Sequence, residues 1–177
     1  IGSIDIDGTI GDGVLVQDLN SLTINGGTIY NTTGNGVVAF NTDLLLSGVT
    51  IDTTTATPGV YGVVMEANDG GSYNAAILGN TITATEDAID VSSHILGVGS
   101  EVDLQLQGNT ITAGAGYNSV YLWGDAEINM AVTPGVMASE GFSDGHEANN
   151  SEIYNVISLE NVSATPGSYY DDGTGLK

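Results

Sequence analysis

Glu86, Asp87 and Asp90 lie within five residues of one another. Two carboxylates held at a fixed separation can serve as acid and base, or acid and nucleophile, at a glycosidic bond. Yet the chain carries 22 Asp and Glu among 177 residues, so such groupings also arise with no chemistry attached. Asp144-Gly145-His146-Glu147 joins an imidazole to carboxylates, a set suited to acid–base or metal work. One His among irregular neighbours specifies no geometry, and a solvated loop explains it better. His94 has no such neighbours. Asp5, Asp7, Asp12 and Asp18 crowd the first twenty residues, and Asp171-Asp172-Gly173 is an oxygen-rich turn. Hard cations take such ligands, which makes these six aspartates the candidates for calcium. No EF-hand spacing and no nonapeptide repeat accompanies them.

The charge balance excludes more than these clusters suggest. Formal net charge is −21, and the only Lys or Arg is Lys177. Nucleic acids and anionic lipid surfaces are repelled by such a chain. The absence of Cys removes disulfides and thiolate metal sites, and fits an extracellular bacterial protein. No stretch is long and apolar enough to cross a bilayer as a helix. A first residue already inside repeat structure, and a lone basic residue at the end, read as an excised piece of a larger protein.

The elements that would position these groups are set by a repeat. One phrase returns five times: Gly8-Thr9-Ile10, Gly26-Gly27-Thr28-Ile29, Gly48-Val49-Thr50-Ile51, Gly79-Asn80-Thr81-Ile82 and Gly108-Asn109-Thr110-Ile111. Recurrence at about 20–30 residues marks a stacked architecture. Two residues before each phrase stand Ile6, Ile24, Leu46, Ile77 and Leu106, and four before stand Ile4, Leu22, Leu44, Ala75 and Leu104. Apolar residues at every second position predict a strand with one buried face. The Ile of the phrase opens a second short strand. A third follows a small residue, at Gly13-Val14, Gly36-Val37, Gly62-Val63, Ala88-Ile89 and Ser119-Val120. Columns that recur in register predict an all-β, right-handed parallel β-helix of about seven coils, three strands each. Asn80 and Asn109 share a turn column, where they either stack amide on amide or serve only as turn formers. The chain reads as one domain, residues 1–177, with regular coils over 1–125. Degenerate coils fill 126–177, beginning with an inner strand at Ile128, Met130 and Val132 and interrupted by an irregular loop over 138–151.

These ladders resemble the right-handed parallel β-helix repeats of pectin-lyase-like enzymes, phage tailspikes and bacterial autotransporter or adhesin passengers. The resemblance covers residues 1–125 well and the remainder poorly, and it is one of fold. The acidic, Cys-free, Gly/Thr/Asn-rich composition is most similar to a surface-adhesin passenger. The Arg- or Lys-dependent proton abstraction of the lyases is excluded here, since no Arg is present and Lys177 is terminal. Asn41-Thr42-Asp43 is similar to the Asn-Thr-Asp of polygalacturonases, but Leu44 replaces the Gly that follows it there.

With the inner residues assigned, the outward set of the third strand is Leu15, Val38, Phe40, Val64, Tyr121 and Trp123. Asp90 and Glu66 interrupt it. An exposed apolar stripe marks an interaction face. The alternative is cover from this chain itself, because parallel strands are often buried on both sides. The expected function is therefore non-catalytic. The chain is read as a segment of a secreted or cell-surface bacterial protein acting in adhesion or self-association, with protein or carbohydrate partners. The alternative is a carbohydrate-active β-helix, a tailspike-like depolymerase or glycoside hydrolase.

Overall fold

The computed structural model describes residues 1–55, 60–93, 100–115, 117–124, 127–133, 136–137, 142–143 and 152–154, with side chains up to Tyr121, Ser93 excepted. Within them the chain is all-β, without helix, and its paired strands are parallel. The strands stack as a β-solenoid of about four turns.

A partial first turn contains β1 (Ile4–Asp7) and β2 (Val14–Gln17). Two turns follow, built from β3 (Ser21–Tyr30) with β4 (Val37–Phe40), and β5 (Asp43–Asp52) with β6 (Val63–Glu66). The next two have three strands each: β7 (Ser72–Leu78), β8 (Thr81–Thr83) and β9 (Ile89–Ser93), then β10 (Glu101–Gln107), β11 (Thr110–Thr112) and β12 (Val120–Gly124). Beyond them, β13 (Glu127–Thr133) pairs on β10 with Ile128, Met130 and Val132 opposite Val102, Leu104 and Leu106, as the alternation predicts. Shorter pieces, β14 (Val136–Met137), β15 (Phe142–Ser143) and β16 (Glu152–Tyr154), continue the stack. One sheet holds the first and second strands of every turn, and the other holds β2, β4, β6, β9, β12 and β15.

The expectation of about seven coils with three strands each is not what the described residues show. There are about four turns, two with a long first strand and a short one, two with three strands, and the reason for that difference is chemical. In β3 and β5 the chain runs through the Gly of the phrase as one bent strand. Where Asn follows that Gly, the side chain takes over backbone bonds. The Val49 N–H donates to Asn80 Oδ1 at 2.8 Å, and Asn80 Nδ2 donates to the Leu46 carbonyl at 3.1 Å. Asn109 repeats the pattern one turn on: its Nδ2 donates to the Ile77 carbonyl and its Oδ1 accepts the Asn80 N–H. Asn80 Nδ2 also reaches Asn109 Oδ1 at 3.1 Å, so the two buried amides do stack. The ladder breaks at these corners because side-chain amides have replaced its rungs.

The inner columns are those of the sequence. Leu22, Leu44, Ala75 and Leu104 align, as do Ile24, Leu46, Ile77 and Leu106, and all are buried. Ile29, Ile51, Ile82 and Ile111 form the second-strand column. Each such aliphatic contributes on the order of 1.5–3 kcal/mol on burial. The small-residue column now has a cause. A Cβ on Gly13, Gly36 or Gly62 would stand 2.5, 2.4 or 2.5 Å from the Cγ2 of Ile29, Ile51 or Ile82, and about as close to the carbonyl of the next turn. The corner must be thin there for the Ile column to fit.

The first phrase is a false member. Ile4, Asp5, Ile6 and Asp7 pair with Gly27, Thr28, Ile29 and Tyr30, so this segment is a second strand, not a first. Ile6 fills the place expected of Ile10, and Ile10 is 99% exposed. A short Ile-x-Ile alternation fits either column, and packing decides. Gly27 admits the arrangement: at φ +104° it brings its backbone against Ile4, and a Cβ there would lie 1.7 Å from the Ile4 carbonyl oxygen.

Two substitutions test the register. Leu46→Asp places an unpaired carboxylate in the core, a cost of several kcal/mol, and should abolish cooperative unfolding as followed by circular dichroism. Gly36→Ala should lower stability by about 1–3 kcal/mol through overpacking. Gly2→Ala, with open space around it, should leave the melting temperature unchanged.

Candidate functional site

The corners between strands are where polar residues collect, and there they bond from turn to turn. Two residues before the third strand of successive turns stand Asp12, Asn35, Tyr61, Asp87 and Asn118. Asp12 Oδ1 accepts the Asn35 N–H at 2.8 Å, and Asn35 Oδ1 accepts the Tyr61 N–H at 2.9 Å. Tyr61 offers no such acceptor, and the ladder resumes at Asp87, whose Oδ1 accepts both the N–H and the Nδ2 of Asn118 at 2.6 and 2.9 Å. Asn41-Thr42-Asp43 behaves likewise. Asn41 Oδ1 accepts the Asn68 N–H, Thr42 Oγ1 accepts the Leu19 N–H, and Asp43 Oδ1 accepts the Asn74 N–H. The triplet that resembles a catalytic one is an inter-turn fastening.

Glu86, Asp87 and Asp90 do come together, with two tyrosines. Tyr117 donates its hydroxyl to Glu86 Oε1 at 3.1 Å, and this bond raises its pKa. Burial, then the charges of Asp90, Glu86 and Asp87, push the Tyr61 phenol well above its usual range. Burial also raises the Asp87 pKa, against the pull of its Asn118 bonds. Asp90 is buried on the outer side of β9, opposite Val64 and Tyr121.

The proposed interaction face is uneven. Leu15 is 58% exposed, but Val38 and Val64 are only 3% and 6% exposed, and Phe40 and Tyr121 are half-buried. The Trp123 side chain lies outside the described residues, although its backbone pairs with Ser92. The buried Ser92 hydroxyl has no hydrogen-bond partner among the described residues. Large exposed apolar residues gather instead on the first turn, at Ile1, Ile10, Leu15 and Leu19.

The first-turn aspartates do not converge. Asp5 accepts the Thr28 hydroxyl at 2.5 Å, Asp7 accepts Asn31 Nδ2 at 2.7 Å, Asp12 faces Asn35, and Asp18 accepts Asn41 Nδ2 at 3.0 Å. Among the described residues no three His, Cys, Asp or Glu gather closely enough to hold a metal ion. Asp171, Asp172, His94, Asp144–Glu147 and most of the 138–151 loop lie outside the described residues.

One feature the sequence did not single out is a shallow cleft of about 360 Å³ where third strands hand over to first strands. It spans three turns and is lined by Asp18, Leu19, Asn20, Asn41, Asp43, Asp69, Ser72 and Tyr73. The Tyr73 hydroxyl donates to Asp69 at 2.6 Å. That bond and the Gly71 N–H hold the Asp69 carboxyl below its usual range. The Tyr73 phenol is pushed up to about 12 by burial, with Asp69, Asp18 and Asp43 adding to the effect. Only three-dimensional stacking assembles this group, since its members lie as much as 55 residues apart in sequence.

Asp87 yields a signed prediction. Its folded-state pKa lies above the unfolded value, so its favourable contribution is present at low pH and lost as pH rises through the folded pKa. Asp87→Asn keeps the Oδ1 acceptor and removes the charge. Thermal melts should show the variant more stable than the parent at pH 7, with the difference vanishing below the ordinary aspartate range. No family model, no curated protein and no solved structure matches this chain.

Proposed function

We propose that the chain is a non-catalytic β-helical segment of a secreted or cell-surface bacterial protein, a right-handed rod of about seven coils acting in adhesion or self-association. One observation carries this reading: the acid and amide side chains that resemble catalytic groups are engaged in fastening turn to turn. Asp12, Asn35, Asn41, Asp43 and Asp87 each accept a backbone N–H of the following turn. Handedness follows from the general preference of parallel crossovers. The resemblance to autotransporter and adhesin passengers supplies the cellular setting.

Contact with partners falls to the first turn and the third-strand face, where Leu15 belongs to both. Exposed apolar side chains are the groups whose burial stabilises an interface. Leu15→Ser with Leu19→Ser should shift sedimentation toward monomer, or weaken adsorption to a surface partner, while the melting temperature holds. Unchanged association would remove the first turn from the interface. Calcium enters as a counter-ion to the −21 charge. Millimolar calcium should raise the melting temperature more than sodium chloride of equal ionic strength if aspartates chelate it.

The second reading, a carbohydrate-active rod, is favoured by the Asp18–Asp43–Asp69–Tyr73 cleft, whose carboxylates and amides suit sugar hydroxyls. Incubation with a panel of polysaccharides separates the two. New reducing ends, lost in Asp43→Asn or Asp69→Asn, would establish the enzyme; binding without cleavage supports the adhesive rod.

A further inference from the structure

Two Asn-Gly pairs stand among the described residues, Asn25-Gly26 and Asn35-Gly36. In such a pair the Gly nitrogen can attack the Asn side-chain carbonyl with no Cβ to oppose the approach. A bond forms from the Gly nitrogen to Asn Cγ, the C–NH₂ bond breaks, and ammonia leaves with the former backbone proton. The product is a succinimide. Water then opens it at either carbonyl, giving aspartate or an isoaspartyl linkage in which the main chain runs through the former side chain. Water is the only co-reactant.

The fold treats the two pairs oppositely. Asn35 is held on both sides: its Oδ1 accepts the Tyr61 N–H and its N–H donates to Asp12 Oδ1. Gly36 is buried, and its nitrogen donates to the Tyr61 carbonyl at 3.1 Å. Electrophile and nucleophile are thus both bound to other turns, in the corner where even a methyl group would collide with Ile51. Asn25 is exposed. Gly26 sits at φ +85°, and the nearest atom to where its Cβ would stand is 3.9 Å away. Residue pairing between β3 and β5 runs from Asn25↔Ser47 to Gly27↔Val49 and passes over Gly26. The bend has room for the ring, and the strand pairing skips Gly26.

We propose that Asn25 is a site of spontaneous deamidation and isoaspartyl formation, and that the change loosens the first turn. The neighbourhood explains the consequence. The Asn25 N–H donates to the Gly2 carbonyl at 2.9 Å, and the Ile1 amino group donates to the Thr23 carbonyl at 2.9 Å. Two residues on, Gly27 lies against Ile4 with no space for a single added atom. An isoaspartyl linkage lengthens the main chain by one carbon between Asn25 and Gly26, which moves Gly27 out of register with Ile4. Pairing of β1 on β3 then fails, and the edge formed by Leu22, Ile24 and Ile29 opens to water.

The test is ageing of the folded chain at mildly alkaline pH, followed by peptide mapping with isoaspartyl methyltransferase labelling. Asn25 should convert about tenfold or more faster than Asn35, and hydroxylamine, which cleaves succinimides, should cut after residue 25. In urea the two pairs should convert at similar rates. Amide hydrogen exchange of residues 4–7 should rise on ageing, but not in aged Asn25→Ser, nor in freshly prepared Asn25→Asp, which adds the charge without the extra carbon. Faster conversion at Asn35, a preference for Asn25 that persists in urea, or unchanged exchange at residues 4–7 would overturn the proposal.

Discussion

Everything in this molecule depends on one spacing, the ~4.8 Å between a backbone and its copy one turn later. Parallel pairing at that distance puts like residues on like, so each column must hold a side chain that tolerates its neighbour above and below. Apolar columns gain from this, and Leu46 between Ile24 and Ile77 is the type case. The thin corner at Gly13, Gly36 and Gly62 is the cost of admitting the branched Ile column beside it. Ala88 and Ser119 continue that corner, and only small residues occupy it throughout.

The same spacing makes charge a hazard, because like charges directly opposite destabilise a sheet. In a chain of net charge −21 the register largely avoids this. Asp5 and Asp7 face Thr28 and Tyr30, Asp52 lies between Tyr30 and Thr83, Asp90 between Val64 and Tyr121, and Asp103 between Asn74 and Asn129. Among the described strand pairs, acid meets acid only along Glu101, Glu127 and Glu152. Acidic side chains are thus dispersed on the rod, and Asp12, Asp43 and Asp87 each accept an N–H of the next turn.

The sheet of third strands is the least ordinary surface. Around β6 and β9 it is buried on both sides, with Asp90 on the outer side opposite Val64 and Ser92 opposite Glu66. The outward stripe here is apolar, interrupted by that buried acid. It separates this sheet from the polar outer side of the first strands, where Asn25, Asp103, Gln105 and Gln107 face water.

The sequence by itself determined the columns. Period-two alternation and a recurring phrase name the inner residues of β3, β5, β7 and β10, the third strands and the Asn80–Asn109 pair, because stacking demands that the same chemistry recur at the same place. It could not determine where a column begins. Ile4-Asp5-Ile6 satisfies either strand, and only the Gly27–Ile4 contact makes it the second. Nor could it separate strand from corner in β3 and β5, where backbone continues a ladder that Asn interrupts elsewhere. Burial of Val38 and Val64, and the cleft joining Asp18, Asp43, Asp69 and Tyr73, belong to the tertiary structure alone. Side-chain direction is local and repeats with the strand, whereas cover and convergence depend on loops whose lengths vary from turn to turn and follow no period.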